Sequence, residues 1–306
     1  GGAIMQVRFQ TLDVFTRARF GGNQLAVVLD AQGVSDAEMQ AIAAEFNIAE
    51  TTFLLPPENP ANTARVRIFT PGAELPFAGH PNVGTAVAVA RLGTLFGKPV
   101  PRERVCFEQL AGLVPLDITW EDGEPVAATL SAPRPFTLAE PVPVAAVAAS
   151  VGLPEAAVVI HQHAPVVAGC GTRFLFAALS DRAALAAAKP RTEVLEPLLR
   201  STQTVGIHLH CPGAQPGLDC ETRMFAPLHG IPEDPATGSA NVALVGLYAA
   251  CDPAADLDLS LAIGQGDDMG RPSRLAASAT KRGGIVTETR IGGGAVPVME
   301  GVLRLS

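Results

Sequence analysis

Aromatic side chains are scarce in this chain of 306 residues, at 5 % of the total with a single Trp and a single Tyr. Proteins that hold single-stranded nucleic acids stack the bases on aromatic platforms in basic grooves. Basic residues are also in deficit, 22 against 30 acidic ones, for a net charge of −8. A nucleic-acid partner is therefore not expected. Charged residues of both signs make up only 17 % while hydrophobic ones reach 48 %, so a disordered chain is excluded. Long apolar runs are missing as well. A membrane-spanning helix needs about 18 apolar residues in a row, and the stretch 142–170 is broken by prolines, Glu155 and two histidines. No membrane partner is expected. The five cysteines, an odd number with no C-x-x-C pair, fit free thiols in a reducing cytoplasm. The N-terminus has no basic-then-apolar layout of a secretory signal. Gly1-Gly2-Ala3-Ile4 ahead of Met5 reads as an added leader, with the natural start expected at Met5.

The 30 glycines and 26 prolines punctuate the chain into many short elements. Strands are predicted at 8–14, 25–29, 52–55, 65–70, 104–108, 113–119, 126–130, 158–160, 174–179, 204–210, 221–225 and 285–290. Ser35-Asp36-Ala37-Glu38 has capping-box spacing ahead of Met39, Ile42, Ala43 and Phe46, which predicts a helix. Residues 181–188 and 193–200 read as surface helices, the second weakened by Pro197. Residues 82–90 and 240–250 read as helices of another kind, because they carry no charge at all. A helix apolar on every side is buried on every side. Each is expected to be wrapped by strands.

Part of the chain repeats. Arg67-Ile68-Phe69-Thr70-Pro71 recurs 156 residues later as Arg223-Met224-Phe225-Ala226-Pro227, and Leu75-Pro76 as Ile231-Pro232. A two-residue slip then lays His80-Pro81-Asn82-Val83-Gly84 over Asp234-Pro235-Ala236-Thr237-Gly238, with an apolar helix following in both copies. The expectation is an α+β fold of two pseudo-symmetric lobes, each a barrel-like, mostly antiparallel sheet around a central apolar helix. The lobes are expected at 5–125 plus about 296–306, and at 126–295.

The repeat places small residues ahead of each central helix, from Gly79 through Gly84 and from Ala236 through Ala240. Unpaired N–H groups there attract anions. Pro81 and Pro235 read as first-turn prolines. His80 and Asp234, at matching positions, are ionisable groups of the kind that transfer protons. Glu50, at the mouth of an apolar strand, is a third candidate. Two His-x-His pairs, His161/His163 and His208/His210, have the spacing of metal ligands on a strand. However, Val205, Ile207, Leu209 and Cys211 form the apolar face of the second strand, so its histidines are expected to face outward and no metal is expected. Gly169-Cys170-Gly171 and Gly264-Gln265-Gly266 lack the G-x-G-x-x-G continuation, so no dinucleotide site is expected either.

Four segments resemble the phenazine-biosynthesis PhzF-like isomerases. They are Gly22-Asn23-Gln24-Leu25-Ala26-Val27, Ile48-Ala49-Glu50-Thr51-Thr52-Phe53, the run from Phe69-Thr70-Pro71 through Glu74-Leu75-Pro76-Phe77-Ala78-Gly79-His80-Pro81, and Glu233-Asp234-Pro235-Ala236-Thr237-Gly238-Ser239-Ala240. Gly270-Arg271-Pro272-Ser273 also fits, while Gln24 and Ala49 depart from the family's usual Pro and Ser. The resemblance implies a diaminopimelate-epimerase-like fold and a homodimer. It implies a cofactor-free isomerase that shifts a proton between carbons of a small carboxylate resembling dihydro-hydroxyanthranilate, in a cleft between the lobes. It places catalytic roles on Glu50, His80 and Asp234, and substrate binding on Asn23, Gly79, Thr237, Gly238 and Ser239. A two-thiol racemase is not expected, because no cysteine lies in either loop. The alternatives are an epimerase or dehydratase of a small amino or hydroxy acid, or a silent small-molecule binder.

Overall fold

The computed structural model describes residues 4–305. Gly1, Gly2 and Ala3, read above as a leader, lie outside the described residues, as does Ser306. The chain runs through β1 (Met5–Val14), β2 (Asn23–Val28), α1 (Asp36–Phe46), β3 (Glu50–Leu55), β4 (Ala64–Phe69), β5 (Glu74–Leu75), α2 (Gly79–Leu92), β6 (Thr94–Leu95), β7 (Lys98–Pro99), β8 (Arg104–Gln109), β9 (Gly112–Glu121) and β10 (Glu124–Ser131). It continues through β11 (Thr137–Pro141), α3 (Val144–Ser150), β12 (Val158–Val159), β13 (Val166–Cys170), β14 (Thr172–Leu179), α4 (Arg182–Ala187), α5 (Thr192–Thr202), β15 (Ile207–Pro212) and β16 (Cys220–Ala226). The last elements are β17 (Ile231–Asp234), α6 (Gly238–Cys251), β18 (Leu257–Gln265), β19 (Ser273–Arg282) and β20 (Ile285–Leu305). Contacts group these residues into two compact units, one running to Leu130 and resuming at Gly292, the other Ser131–Ile291.

In the first unit eight strands close on themselves in the order β1, β2, β3, β4, β8, β9, β10 and β20, which pairs again with β1. The helix α2 packs against β1, β2, β3 and β9. Every residue from Gly79 to Ala90 is buried, which is why the sequence there has no charge. Gly84 permits the approach, since a side chain on it would meet Leu25 Cδ2 at 2.5 Å and Val14 Cγ2 at 2.6 Å. On the other face of the sheet lies α1. Its Ser35 Oγ accepts from the Glu38 N–H at 3.2 Å and Glu38 Oε2 accepts from the Ser35 N–H at 2.8 Å. This reciprocal pair satisfies donors that a helix start otherwise leaves to water. Ser35→Ala is expected to lower stability by about 1 kcal/mol, measured by urea unfolding at neutral pH.

The second unit repeats that order of pairings. The run β1–β2–β3–β4–β8–β9 has the counterpart β13–β14–β15–β16–β18–β19, with β2–β3 and β14–β15 parallel, β4–β8 and β16–β18 parallel, and the remaining pairs antiparallel. The helix α6 packs against β13, β14, β18 and β19, as α2 does against its own strands. Lys281, 4 % exposed, donates to the Ala249 carbonyl at 3.0 Å and the Asp252 carbonyl at 2.7 Å, placing a cation where the helix dipole is negative. The opposite face of the sheet is covered by α3, α4 and α5, whose Val147, Leu185, Leu195 and Leu199 pack with Ile207 and Leu209. The helix α5 continues through Pro197, with Leu195 and Leu199 buried on either side of it.

Three expectations change. First, His208 and His210 do not face outward: both are buried, at 0 % and 1 % exposure. The strand β15 has helices on one face and α6 on the other, so neither of its faces meets water. Second, strands β18 and β19 were not anticipated. The Leu257-Asp258-Leu259-Ser260-Leu261 alternation was legible, whereas β19 is rich in Ala and Ser, which carry little strand signal. Third, the two-residue slip runs the wrong way. Phe69 pairs with Thr51 and Phe225 with Ile207, while Ile68 pairs with Leu75 and Met224 with Asp234. The counterpart of Asp234 is thus Leu75. The second residue of α2 is His80 and that of α6 is Ser239, so His80 matches Ser239 rather than Asp234. The cause is a longer connection in the second copy, disguised by the resemblance of His80-Pro81 to Asp234-Pro235. Arg67 binds Glu74 seven residues on at 2.8 Å, and Arg223 binds Glu233 ten residues on at 2.8 Å. Pro81 lies in the first turn of α2, but Pro235 precedes the start of α6. Among the described residues no helix is long and apolar enough to cross a membrane.

Candidate active site

The first unit brings Glu50 and His80 together. Glu50 opens β3, which runs parallel to β2 with Glu50 opposite Leu25. His80 lies in the first turn of α2. The His80 Nε2 is 3.0 Å from Glu50 Oε2 and 3.2 Å from the carbonyl oxygen of Gln24. A carbonyl only accepts, so the ring N–H points to it, and Glu50 Oε2 sits within ion-pair range without an aligned donor. The Glu50 side chain keeps 15 % of its surface exposed, yet burial of the carboxylate pushes its pKa up to about 7. Near neutral pH it therefore exists in both forms, which suits a group that takes a proton and gives it back.

The neighbouring candidates lie on the same elements. Asn23 opens β2 and is 2 % exposed. Gly22 before it has φ +64°, and a side chain there would run into the Val14 carbonyl, so only glycine delivers Asn23 at this point. Gly79 is the first residue of α2, and the Ala78 before it offers no capping side chain. Below, Asn82 Nδ2 donates to the Ala78 carbonyl at 2.9 Å and to Gln109 Oε1 at 3.1 Å, and the Gln109 amide returns a bond to Asn82 Oδ1. Thr52 and Thr85 hydroxyls bond each other at 2.8 Å.

The second unit holds the other candidates. Asp234 ends β17, and the Thr237 hydroxyl donates to its Oδ2 at 2.6 Å. Thr237 is the residue before α6, whose first two residues are Gly238 and Ser239. Gln265, from the end of β18, is 1 % exposed and touches both Asp234 and Thr237. Gln265 lies in Gly264-Gln265-Gly266, which has no dinucleotide motif to mark it, and neither Asn82 nor Asn241 is an ionisable group that its residue type would single out. A shared signal was present: Gly79-x-x-Asn82 and Gly238-x-x-Asn241 open the two apolar helices alike. Glu50 has no acidic counterpart, because the registers pair its position with Gly206.

The His-x-His pairs have a different role from the one their spacing suggested. His163 Nε2 and His210 Nε2 are 2.8 Å apart, and His210 Nδ1 is 2.8 Å from the Tyr248 hydroxyl. Burial holds the pKa of both histidines below the ordinary value. They are neutral partners inside the second unit.

The family model described as phenazine biosynthesis-like protein, PhzC-PhzF, matches residues 12–301. An uncharacterized isomerase of Mesorhizobium japonicum is 36 % identical over 98 % of this chain and 99 % of its own. The trans-2,3-dihydro-3-hydroxyanthranilate isomerase of Pseudomonas aeruginosa is 33 % identical over 96 % of this chain and 98 % of its own. The crystal structure of a Bacillus anthracis phenazine biosynthesis protein of the PhzF family superposes with a TM-score of 0.88 at 26 % identity, covering 98 % of this chain and 99 % of that one. The chain thus belongs to the phenazine biosynthesis-like PhzC-PhzF family and is an isomerase.

Proposed function

We propose that this isomerase moves a proton between two carbons of a small carboxylate of the trans-2,3-dihydro-3-hydroxyanthranilate type, with Glu50 as the shuttle. The ionised Glu50 takes a proton from one carbon. The electron pair left behind moves through the neighbouring double bond. The Glu50 acid then protonates the far carbon, and the resulting enol settles as a ketone. Atoms and oxidation state are unchanged overall, so acid–base groups suffice and the reaction is assigned as cofactor-independent. His80, its Nε2 3.0 Å from the Glu50 carboxylate, is assigned a positioning and polarising role beside it. Asp234 is assigned the second polar role. Asn23, Gly79, Thr237, Gly238 and Ser239 are assigned to substrate binding, with helix-start N–H groups suited to a carboxylate.

One observation carries this reading: the buried Glu50 Oε2 lies 3.0 Å from His80 Nε2 with no hydrogen-bond donor of its own, and this burial pushes the carboxyl pKa up to about 7. The substrate class is supported by the 33 % identity to the named Pseudomonas isomerase. Incubation with trans-2,3-dihydro-3-hydroxyanthranilate in deuterium oxide, followed by NMR and mass spectrometry, is expected to yield the isomer, with deuterium on the newly protonated carbon to the extent that the Glu50 acid exchanges with solvent before returning its proton. Failure to convert this compound would remove it as the substrate.

A further inference from the structure

In the second unit a buried chain of side chains ends on Asp234, and each link has only one possible direction. The direction follows from backbone partners, whose roles are fixed. Gln265 Nε2 lies 2.7 Å from the Asp234 carbonyl, which only accepts, and Gln265 Oε1 lies 3.1 Å from the Thr237 N–H, which only donates. The amide can therefore sit only one way round. Its second N–H goes to Thr237 Oγ1 at 3.0 Å, and its oxygen accepts a second bond from Asn241 Nδ2 at 2.9 Å. All four capacities of the Gln265 amide are used. Asn241 is fixed in the same way, because its other N–H meets the Thr237 carbonyl at 3.0 Å. Asn241 Oδ1 must then accept, and His208 Nε2, 2.9 Å away, must donate. His208 Nδ1 is left bare and buried without a partner. At the far end, Thr237 Oγ1 already accepts from Gln265, so its hydrogen goes to Asp234 Oδ2 at 2.6 Å.

We propose that Gln265 is a positioning residue for Asp234. Its amide orders a one-way chain, His208 to Asn241 to Gln265 to Thr237 to Asp234, that holds Asp234 Oδ2 as an acceptor in a fixed place. This rests on the role given to Asp234 above. Aligned hydrogen bonds in a water-poor interior polarise one another, so each donor strengthens the next. Burial lowers the His208 pKa to about 4, which keeps the ring neutral and preserves the single donor that the chain needs. The first unit shows that the arrangement is not merely how such a helix begins. There the matching asparagine, Asn82, and its glutamine, Gln109, bond back to one another, and the relay goes no further. Only the second copy extends the chain to a carboxylate, that of Asp234.

The direction is testable without any substrate. In ¹⁵N spectra of the wild-type protein, with the His208 signals assigned by their loss in His208→Asn, a protonated Nε2 and a bare Nδ1 are expected. A protonated Nδ1 with a bare Nε2 overturns the proposal. Gln265→Glu keeps the shape but places an acceptor where the amide N–H groups were, so the Thr237 hydroxyl turns from Asp234 toward Glu. With trans-2,3-dihydro-3-hydroxyanthranilate as probe, kcat is expected to fall at least about tenfold while KM changes less than about threefold. In the Gln265→Glu, Asp234→Asn double variant the losses are expected not to add, because one acts through the other. Full kcat in a folded Gln265→Glu protein, or strictly additive losses, overturns the positioning role. Full activity in Asp234→Asn instead refutes the role assigned to Asp234 under the proposed function.

Discussion

Glu50→Gln is expected to lower kcat/KM by about 10²–10⁴-fold, the range that a positioned general acid–base group supplies. The amide keeps the volume and the polar surface of the carboxylate but has no basicity near neutral pH. Its neighbour His80, at 3.0 Å, cannot replace it as long as its Nε2–H stays on the Gln24 carbonyl. Binding is expected to suffer far less than turnover, so the loss is expected in kcat. In the wild type, kcat/KM is expected to rise with pH through about 7, since the free enzyme starts the cycle with the carboxylate ionised. A Glu50→Gln enzyme retaining more than about a tenth of wild-type kcat/KM would exclude Glu50 as the shuttle.

The same substitution is expected to stabilise the fold in alkaline solution. The folded Glu50 holds its proton up to about pH 7, against an ordinary value of 4.5. Between those two values the native state binds more protons than the unfolded one. Stability therefore falls as pH rises through that window. Below pH 4.5 both states are protonated and the carboxyl imposes no penalty; above about pH 7 the penalty is complete, at about 3 kcal/mol from roughly 1.4 kcal/mol per pKa unit. Glutamine is neutral throughout. The difference in unfolding free energy between Glu50→Gln and wild type is expected to rise in favour of the variant from pH 4.5 to pH 8 and then level off. A difference that stays flat across that range would mean that the carboxylate is as well solvated in the folded protein as in the unfolded one. Both outcomes together describe a site where burial that weakens the fold creates a base of useful strength.

Much of the first unit could be read directly from residues. The Ser35–Glu38 capping box is local chemistry, fixed by the neighbours of each residue along the chain, and it appears as the sequence implies. The uncharged stretches announced the buried helices because a helix apolar on every side has no face suited to water. The strand-pair constellation, with Arg67 bound to Glu74 and lying over Phe69, and Arg223 bound to Glu233 and lying over Phe225, was visible as a repeated Arg-x-Phe. Its partner glutamates were not matched, because an insertion between them shifts the frame, and prolines on either side offered a false alignment. His208 and His210 show the opposite limit. Alternation along β15 correctly separates two faces, but it cannot say that the second face is covered too.

The sequence by itself determined the family resemblance, the presence of a duplicated strand–loop–helix unit, and the identity of Glu50, His80 and Asp234 as the ionisable groups worth following. These follow from residue types in short order along the chain, where local sterics and hydrogen bonding act. Only the tertiary structure decided that Glu50 lies within 3.0 Å of His80, that His80 corresponds to Ser239, and that Gln265 reaches Asp234 from a strand end 31 residues away. Those facts depend on strand register and on which side chains share a space without water, and pairing between distant segments sets both.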